Sequence, residues 1–241
     1  MLKVLKCVGT TGEQKMMAIE GARNSYDSWD RIDSGYFGPY DDEHLDDSMN
    51  WVYGENDTKL LTNLSGSGPS HSKYKRMLPY WMHIVAPLYF WKEWDTYKVG
   101  TVCNSCSTMH TIHKAPLTVN NFSTEHLLDI PVEINGRMTS ALDDLKQTIA
   151  VMNYYRECML EAKTVDERKR YWWQIIQKLP SSFNQRRTVF VNSEVLTNIY
   201  DQRLNHRLDE WQYFCNLLEN NLVENELETE LITTQTVYMK D

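Results

Sequence analysis

Long apolar runs, excess positive charge and cysteine are all scarce in this sequence of 241 residues. No apolar run approaches the roughly 20 residues that a membrane-spanning helix needs, so we expect no membrane partner. The N-terminal stretch lacks the apolar region of a signal peptide, which predicts a cytoplasmic protein. Asp and Glu outnumber Lys and Arg by 33 to 25, and nonspecific nucleic-acid binding depends on a basic surface. We therefore expect no nucleic-acid partner, whereas a few well-placed cations can still bind a small anionic ligand.

Cysteine is too rare and too scattered for a disulfide framework. The five cysteines form an odd number, and without an export signal they indicate reduced thiols. They are Cys7, Cys103, Cys106, Cys158 and Cys215.

The composition that remains is ordinary for a globular protein, with 41% hydrophobic and 24% charged residues. We find no internal repeat and no clear linker, and predict one domain over 1–241. Two parts lack periodicity, an irregular segment at about 25–56 and a polar, acidic tail from about 219. The irregular segment holds an acidic cluster within 41–47, which is typical of a solvated face and, alternatively, of a cation site.

The N-terminal half mixes strand and helix patterns. Alternation over 2–8 predicts a strand, and the threonines before Glu13 predict a helix that runs through Ala22. Asp57 is predicted to cap a further short helix. An apolar stretch over 77–86 predicts a buried strand.

The C-terminal half is rich in helix patterns. The residues from about Met138 to Ala162 carry apolar side chains every three or four positions, as one face of a helix requires. Thr164 and Glu167 match a capping box that opens a helix ending before Pro180. A strand over 188–191 and two more helices follow, so we predict a mixed α/β (α+β) fold.

The densest group of reactive side chains is a short stretch with two thiols three apart and two imidazoles three apart, namely Cys103, Cys106, His110 and His113. Such residues can ligate zinc, but a zinc finger places about a dozen residues between its pairs, and only three intervene here. A redox-active pair of thiols is a second interpretation. Buried thiols beside hydrogen-bonded histidines are the interpretation we favour, and we predict no metal site.

Arg203 shares a helix face with Leu196 and Ile199, since the three are spaced by three and four. The spacing places a guanidinium at the end of an apolar stripe. A cation that faces inward needs an anionic partner, either a carboxylate of the fold or a bound ligand.

The run from Leu179 to Arg203 resembles the flavin-dependent thymidylate synthases. In that family a helix ends in Leu-Pro, a strand ends in Val-Asn, and the next helix carries Leu, Asn and Arg at set spacing. Those positions are Leu179-Pro180, Val191-Asn192, Leu196, Asn198 and Arg203. The resemblance implies that Asn192 and Asn198 contact the flavin. It also implies that Arg203 binds the deoxyuridylate and stabilises charge on its ring in catalysis.

A second stretch, Ala86 to Trp94, resembles the entry to the family's signature, Arg-His-Arg followed by Ser, Asn, Ser and Arg. The first three matching positions here are Thr96, Tyr97 and Lys98, which the resemblance assigns to the cofactor. Cys106 and, with a shift of one residue, Ser107 would contact the substrate. The run Gly21 to Ser28 is similar to the family's N-terminal Ala-Arg-x-Ser.

By this resemblance we expect a twisted sheet flanked by helices, a homotetramer, and methylene and hydride transfer to dUMP or a related pyrimidine deoxynucleotide. The implied cofactors are FAD, with NADPH and methylenetetrahydrofolate as possible co-reactants. Thr96 and Tyr97 offer neutral hydroxyls where the family has cations, and charge-assisted hydrogen bonds are about twice as strong as neutral ones. An inactive nucleotide-binding or assembly protein on the same scaffold is therefore a second hypothesis. An unrelated zinc or redox protein is the third.

Overall fold

The computed structural model describes residues 2–37 and 50–220. The acidic cluster within 41–47 and the tail beyond residue 220 lie outside these ranges. The helices described are α1 (Gly12–Arg23), α2 (Glu55–Gly66), α3 (Leu88–Trp94), α4 (Thr108–Thr111), α5 (Ala141–Glu161), α6 (Val165–Lys178), α7 (Ser193–Arg203) and α8 (Asp209–Leu218). The strands described are β1 (Lys3–Val8), β2 (Gly35–Phe37), β3 (Asn50–Val52), β4 (Pro79–Pro87), β5 (Thr101–Ser105), β6 (Val132–Ile134), β7 (Arg137–Thr139) and β8 (Asn184–Asn192).

The predicted mixed α/β fold is confirmed. Four strands form a sheet in the order β1-β4-β8-β5, so neighbours in the sheet are not consecutive in the chain. Two short antiparallel pairs accompany it, β2 with β3 and β6 with β7. None of the described helices is both long and apolar enough to cross a membrane.

The chain divides into two compact units. The first consists of Met1–Lys3, Val85–Asp95 and Ser105–Arg187. The second consists of Val4–Ile84, Thr96–Asn104 and Thr188–Asp241. That the chain acts as one domain over 1–241 stays a prediction.

The core of the first unit is built on the apolar face of α5 that the sequence predicts. Leu145, Ile149, Met152 and Met159 are buried there, together with Ile175 of α6. The predicted capping box is present, since Thr164 Oγ1 accepts from the Glu167 N–H and Glu167 Oε2 accepts from the Thr164 N–H, both at 3.2 Å. The helix ends just before Leu179-Pro180, as predicted.

In the second unit, the predicted role of Asp57 as a helix cap is wrong. The cap of helix α2 is Gly54, three residues earlier, and the Asp33 carboxylate accepts from the N–H groups of Asn56 and Asp57 at 2.8 and 3.0 Å. Asp57 therefore stands in the first turn, where its side chain is fully buried. Helix α1 begins after Thr11, whose capping partner is Gln14.

Candidate functional site

Arg203 ends helix α7 in the second unit and is half-buried. The helix begins at Asn192, whose side-chain oxygen accepts from the Val195 N–H at 3.0 Å. Leu196 and Ile199 are buried along the face that leads to Arg203. The predicted apolar stripe is therefore present, and the guanidinium of Arg203 lies at its end.

The guanidinium of Arg203 is held by two aromatic side chains. Its Nε donates to the hydroxyl of Tyr97 at 2.9 Å, and that hydroxyl donates to Gln202 Oε1 at 3.1 Å. Its Cζ lies 5.6 Å from the ring centroid of Tyr97 and 5.0 Å from that of Trp211, within the range of cation–π attraction. These contacts fix the direction of a group with five N–H donors. A guanidinium fixed in this way suits a carbonyl or an anionic oxygen as its ligand.

Tyr97 and Trp211 also contact each other edge to face, with ring centroids 6.2 Å apart. Trp211 is fully buried in α8, which makes it a rigid support for the cation. Sequence analysis did not find this role of Trp211, nor the contact of Gln202. Tyr97 lies 106 positions before Arg203, so no local pattern links these two side chains, whereas Gln202 and Trp211 follow from the same C-terminal stretch as Arg203.

Cys215 of α8 is a buried thiol in the second unit. Burial raises its pKa to about 11, although the positive charge of Arg203 opposes the increase. The thiol is therefore protonated at neutral pH and is a poor nucleophile.

The residues that the resemblance assigns to the cofactor also belong to the second unit. Thr96, Lys98 and Asn198 are exposed, whereas Asn192 is buried and caps α7. Gly100 lies directly against Asn192, with a φ of +78°, and a Cβ added there would lie 2.6 Å from Asn192 Nδ2. The close approach requires glycine and fixes the amide of Asn192.

Cys106 and Ser107 belong to the first unit, where both are exposed. The Cys106 carbonyl accepts from Gln185 Nε2 at 3.0 Å, and the Ser107 carbonyl accepts from the Thr111 hydroxyl at 2.7 Å. Cys103 is exposed as well, so the interpretation of Cys103 and Cys106 as buried thiols is wrong. Among residues 2–37 and 50–220, no group of three His, Cys, Asp or Glu side chains could hold a metal ion.

A polar pocket of about 510 Å³ lies in the second unit, beside the run Gly21 to Ser28 that is similar to the family's N-terminal Ala-Arg-x-Ser. The buried side chain of Arg23 lines the pocket, and Arg31 and Lys59 bring two further cations to its lining. The lining consists of Arg23, Tyr26, Asp27, Ser28, Asp30, Arg31, Asn56, Lys59, Leu60 and Asn63. Sequence analysis missed Arg31 and Lys59, because only the packing of α2 brings them to one pocket.

The fold is that of the flavin-dependent thymidylate synthases. A crystal structure of thymidylate synthase X from Helicobacter pylori with FAD and dUMP is similar at a TM-score of 0.58 and 15% identity, over 96% of this chain and 99% of that one. A second structure of that enzyme, complexed with FAD and dUMP, gives 0.57 and 15% over 95% and 100% of the two chains. No protein-family model and no curated protein sequence matches this chain. At this identity, the similarity establishes the fold alone.

Proposed function

We propose that the chain is a divergent flavin-dependent thymidylate synthase-like enzyme that acts on dUMP or a related pyrimidine deoxynucleotide. The observation that carries the proposal is Arg203, held by Tyr97 and Trp211 at the end of α7. The fold supports it, since the similar Helicobacter pylori structures contain FAD and dUMP. The family's further features extend the proposal to a cytoplasmic homotetramer that uses NADPH and methylenetetrahydrofolate.

Arg203 would bind the pyrimidine through a carbonyl oxygen. A fixed guanidinium stabilises negative charge that develops on such an oxygen, because its donors are already oriented before the reaction. Tyr97 and Trp211 would act by positioning Arg203. Cys106 and Ser107 are proposed as further substrate contacts on the resemblance alone.

The residues that the resemblance assigns to the cofactor offer hydrogen-bonding groups that suit a flavin. Asn198 and Thr96 present an amide and a hydroxyl to solvent, Lys98 adds an ammonium group, and Tyr97 contributes its hydroxyl. Asn192 uses its oxygen as the helix cap, which leaves its Nδ2 for a ligand. When bound, the flavin would supply hydride transfer. The protein's residues would bind and orient the cofactor and the pyrimidine.

The phosphates of such a cofactor need cations, and the signature positions supply one, at Lys98. Arg31 and Lys59 in the polar pocket offer two more in the same unit. We propose that this pocket compensates in part for the arginines that the signature lacks.

A specific observation favours the second hypothesis, an inactive nucleotide-binding or assembly protein. The Tyr97 hydroxyl, at the centre of the altered signature, is already engaged by Arg203 and Gln202. A side chain committed to the fold is less available to a cofactor. The two hypotheses differ in flavin binding, which absorption spectroscopy detects.

The deciding experiment is the visible spectrum of the purified protein after incubation with FAD and desalting, before and after addition of dUMP. We expect oxidised-flavin bands that shift with dUMP. In Arg203→Gln the shift should be lost. In the matched variant Arg207→Gln, which changes an exposed arginine four positions away, the shift should remain.

Retained flavin with a shift in both variants would contradict the role of Arg203 and leave flavin binding intact. A folded protein that stays colourless, yet binds dUMP by calorimetry, would overturn the enzyme and favour the binding protein. Turnover with NADPH and methylenetetrahydrofolate then tests the reaction itself.

A further inference from the structure

A groove of about 380 Å³ lies wholly within the first unit, among residues of which the proposed function makes no use. Its walls combine apolar side chains with a few polar ones. The lining consists of His113, Met159, Leu160, Val165, Arg168, Lys169 and Trp172. The volume is within the range of small-molecule sites, about 300–1,000 Å³.

One face of helix α6 forms most of this groove. Val165, Arg168, Lys169 and Trp172 are spaced by three, four and seven positions, so they project from the same side of the helix. Met159 and Leu160, near the end of α5, also line the groove. The groove is thus built on two helices that share a packed core.

The groove leaves apolar surface open to solvent. Val165 is 81% exposed and Leu160 is 48% exposed. These side chains give the groove apolar walls, and covering them with an aliphatic group removes unfavourable contact with water. Arg168 and Lys169 are exposed beside it. Together these residues form an apolar groove with two cations beside it.

Two contacts hold the groove in shape without a ligand. The Trp172 indole N–H donates to the Met109 carbonyl at 3.2 Å, which fixes the ring. Arg156 Nε donates to the His113 carbonyl at 2.9 Å, which fixes the backbone of His113. Nδ1 of His113 is buried and has no hydrogen-bond partner among the residues that the structure describes. Such an atom is costly to leave unpaired, and its burial keeps it out of a ligand's reach.

We propose that this groove binds an amphiphilic anion, a molecule with an aliphatic body and a single carboxylate head. The aliphatic body would lie against Met159, Leu160, Val165 and Trp172, and the head would pair with Arg168 and Lys169. The charges of groove and ligand are complementary, and the apolar area on the protein matches the apolar body of the ligand.

A nucleotide fits this groove less well. Its ribose and base carry many hydrogen-bonding groups, and the lining supplies only two cations and one imidazole as polar partners. Groups left unpaired in an apolar groove lose binding energy. The groove therefore differs in ligand class from the Arg203 site in the second unit.

The proposal is tested by isothermal titration of the full chain with hexanoate, octanoate and decanoate. Octanol and octylammonium serve as controls for the charge of the head group. We expect one site per chain. The dissociation constant should fall about fourfold per added methylene until the aliphatic chain outgrows the groove. Octanol and octylammonium should bind at least tenfold more weakly than octanoate.

Two pairs of variants locate the site. Arg168→Gln/Lys169→Gln should weaken octanoate binding at least tenfold. Lys163→Gln/Arg170→Gln, which removes the same charge from exposed positions outside the groove, should change it less than twofold. Val165→Glu should abolish binding, whereas Val132→Glu, the same change on strand β6 of the same unit, should not.

Three results would overturn the proposal. One is titration without saturation, as for nonspecific partitioning. Another is binding of octanol as tight as that of octanoate. The third is an equal loss in the groove variants and in their matched controls, with all variants folded by circular dichroism.

Discussion

Arg23 of α1 and Asp57 of α2 form an ion pair shielded from solvent, with 2.6 Å between Arg23 Nη2 and Asp57 Oδ1. The side chains are 4% and 0% exposed. The second oxygen of Asp57 accepts from the Ser34 hydroxyl at 2.7 Å and from the N–H groups of Ser34 and Asp33 at 2.9 and 3.0 Å. One carboxylate thus ties two helices and a loop together.

Asp57→Asn should destabilise the protein strongly. It leaves the Arg23 guanidinium buried without a countercharge, and breaking a buried pair in this way costs about 3–5 kcal/mol. Urea unfolding followed by circular dichroism measures the change. The double variant Arg23→Met/Asp57→Leu should cost less than the sum of Arg23→Met and Asp57→Leu, because it removes both charges. Strict additivity would show that the pair is not coupled.

The same carboxylate should make stability depend on acid pH. Burial raises the pKa of Asp57, but hydrogen bonds from Ser34, Asp33 and Arg23 outweigh it and hold the pKa below its ordinary value. The folded state therefore binds fewer protons than the unfolded chain, and the stabilisation is present above about pH 4 and lost as the pH falls further. Urea midpoints from pH 7 to pH 3 should fall more in the wild type than in Asp57→Asn. Parallel curves would contradict this.

Lys15 should give a pH dependence of the same sign, but at alkaline pH. The side chain is buried, with Nζ 5.9 and 5.6 Å from the ring centroids of Trp51 and Tyr53, and burial lowers its pKa to about 8. Between pH 8 and its ordinary pKa of 10.5, the unfolded chain binds more protons, so the free energy of unfolding rises with pH. The full effect is about 3 kcal/mol.

Lys15→Met should abolish this rise. Cys7 titrates in the same range with the opposite sign, since burial raises its pKa to about 11. The wild type and Lys15→Met both contain Cys7. The difference between their unfolding free energies at each pH therefore isolates the contribution of Lys15. A difference that stays constant from pH 7 to pH 10.5 would refute the prediction.

Gly100→Ala should disturb Asn192, whereas Gly68→Ala is its matched control. Both glycines have positive φ, +78° and +94°, so each substitution costs about 1 kcal/mol in backbone strain. A Cβ at Gly68 meets no heavy atom within 4 Å, but one at Gly100 clashes with Asn192. Gly100→Ala should therefore lose at least 1 kcal/mol more in urea unfolding, and retain less FAD after desalting. Equal FAD retention would argue against a flavin contact by Asn192.

Tyr97→Phe removes the hydroxyl that orients Arg203 and keeps the ring. The loss of its hydrogen bonds to Arg203 and Gln202 should cost about 1 kcal/mol of stability. In a double-mutant cycle with Arg203→Met, the two effects should not add, because they remove one interaction. Thermal unfolding of the four proteins gives the coupling energy. A coupling of zero would mean that Tyr97 does not position Arg203.

Local patterns predicted several helices of this fold. The apolar stripe of α5, the capping box at Thr164 and the end of α6 before Pro180 follow from the residues within one or two turns. The role of Asp57 was mispredicted because a prediction from neighbouring residues cannot detect a distant partner. Its capping signal is local, but burial against Arg23 involves a residue 34 positions away.

The sequence by itself determined the mixed α/β fold, the register of α7, and the position of Arg203 at the end of its apolar stripe, because helical periodicity is a property of neighbouring residues. Only the tertiary structure decided which groups hold that guanidinium. Tyr97 lies 106 positions before Arg203, and Trp211 belongs to the helix that follows α7. The same holds for the polar pocket at Arg23 and the apolar groove at Trp172. Each depends on packing between elements, where burial and charge act on residues that share no local pattern.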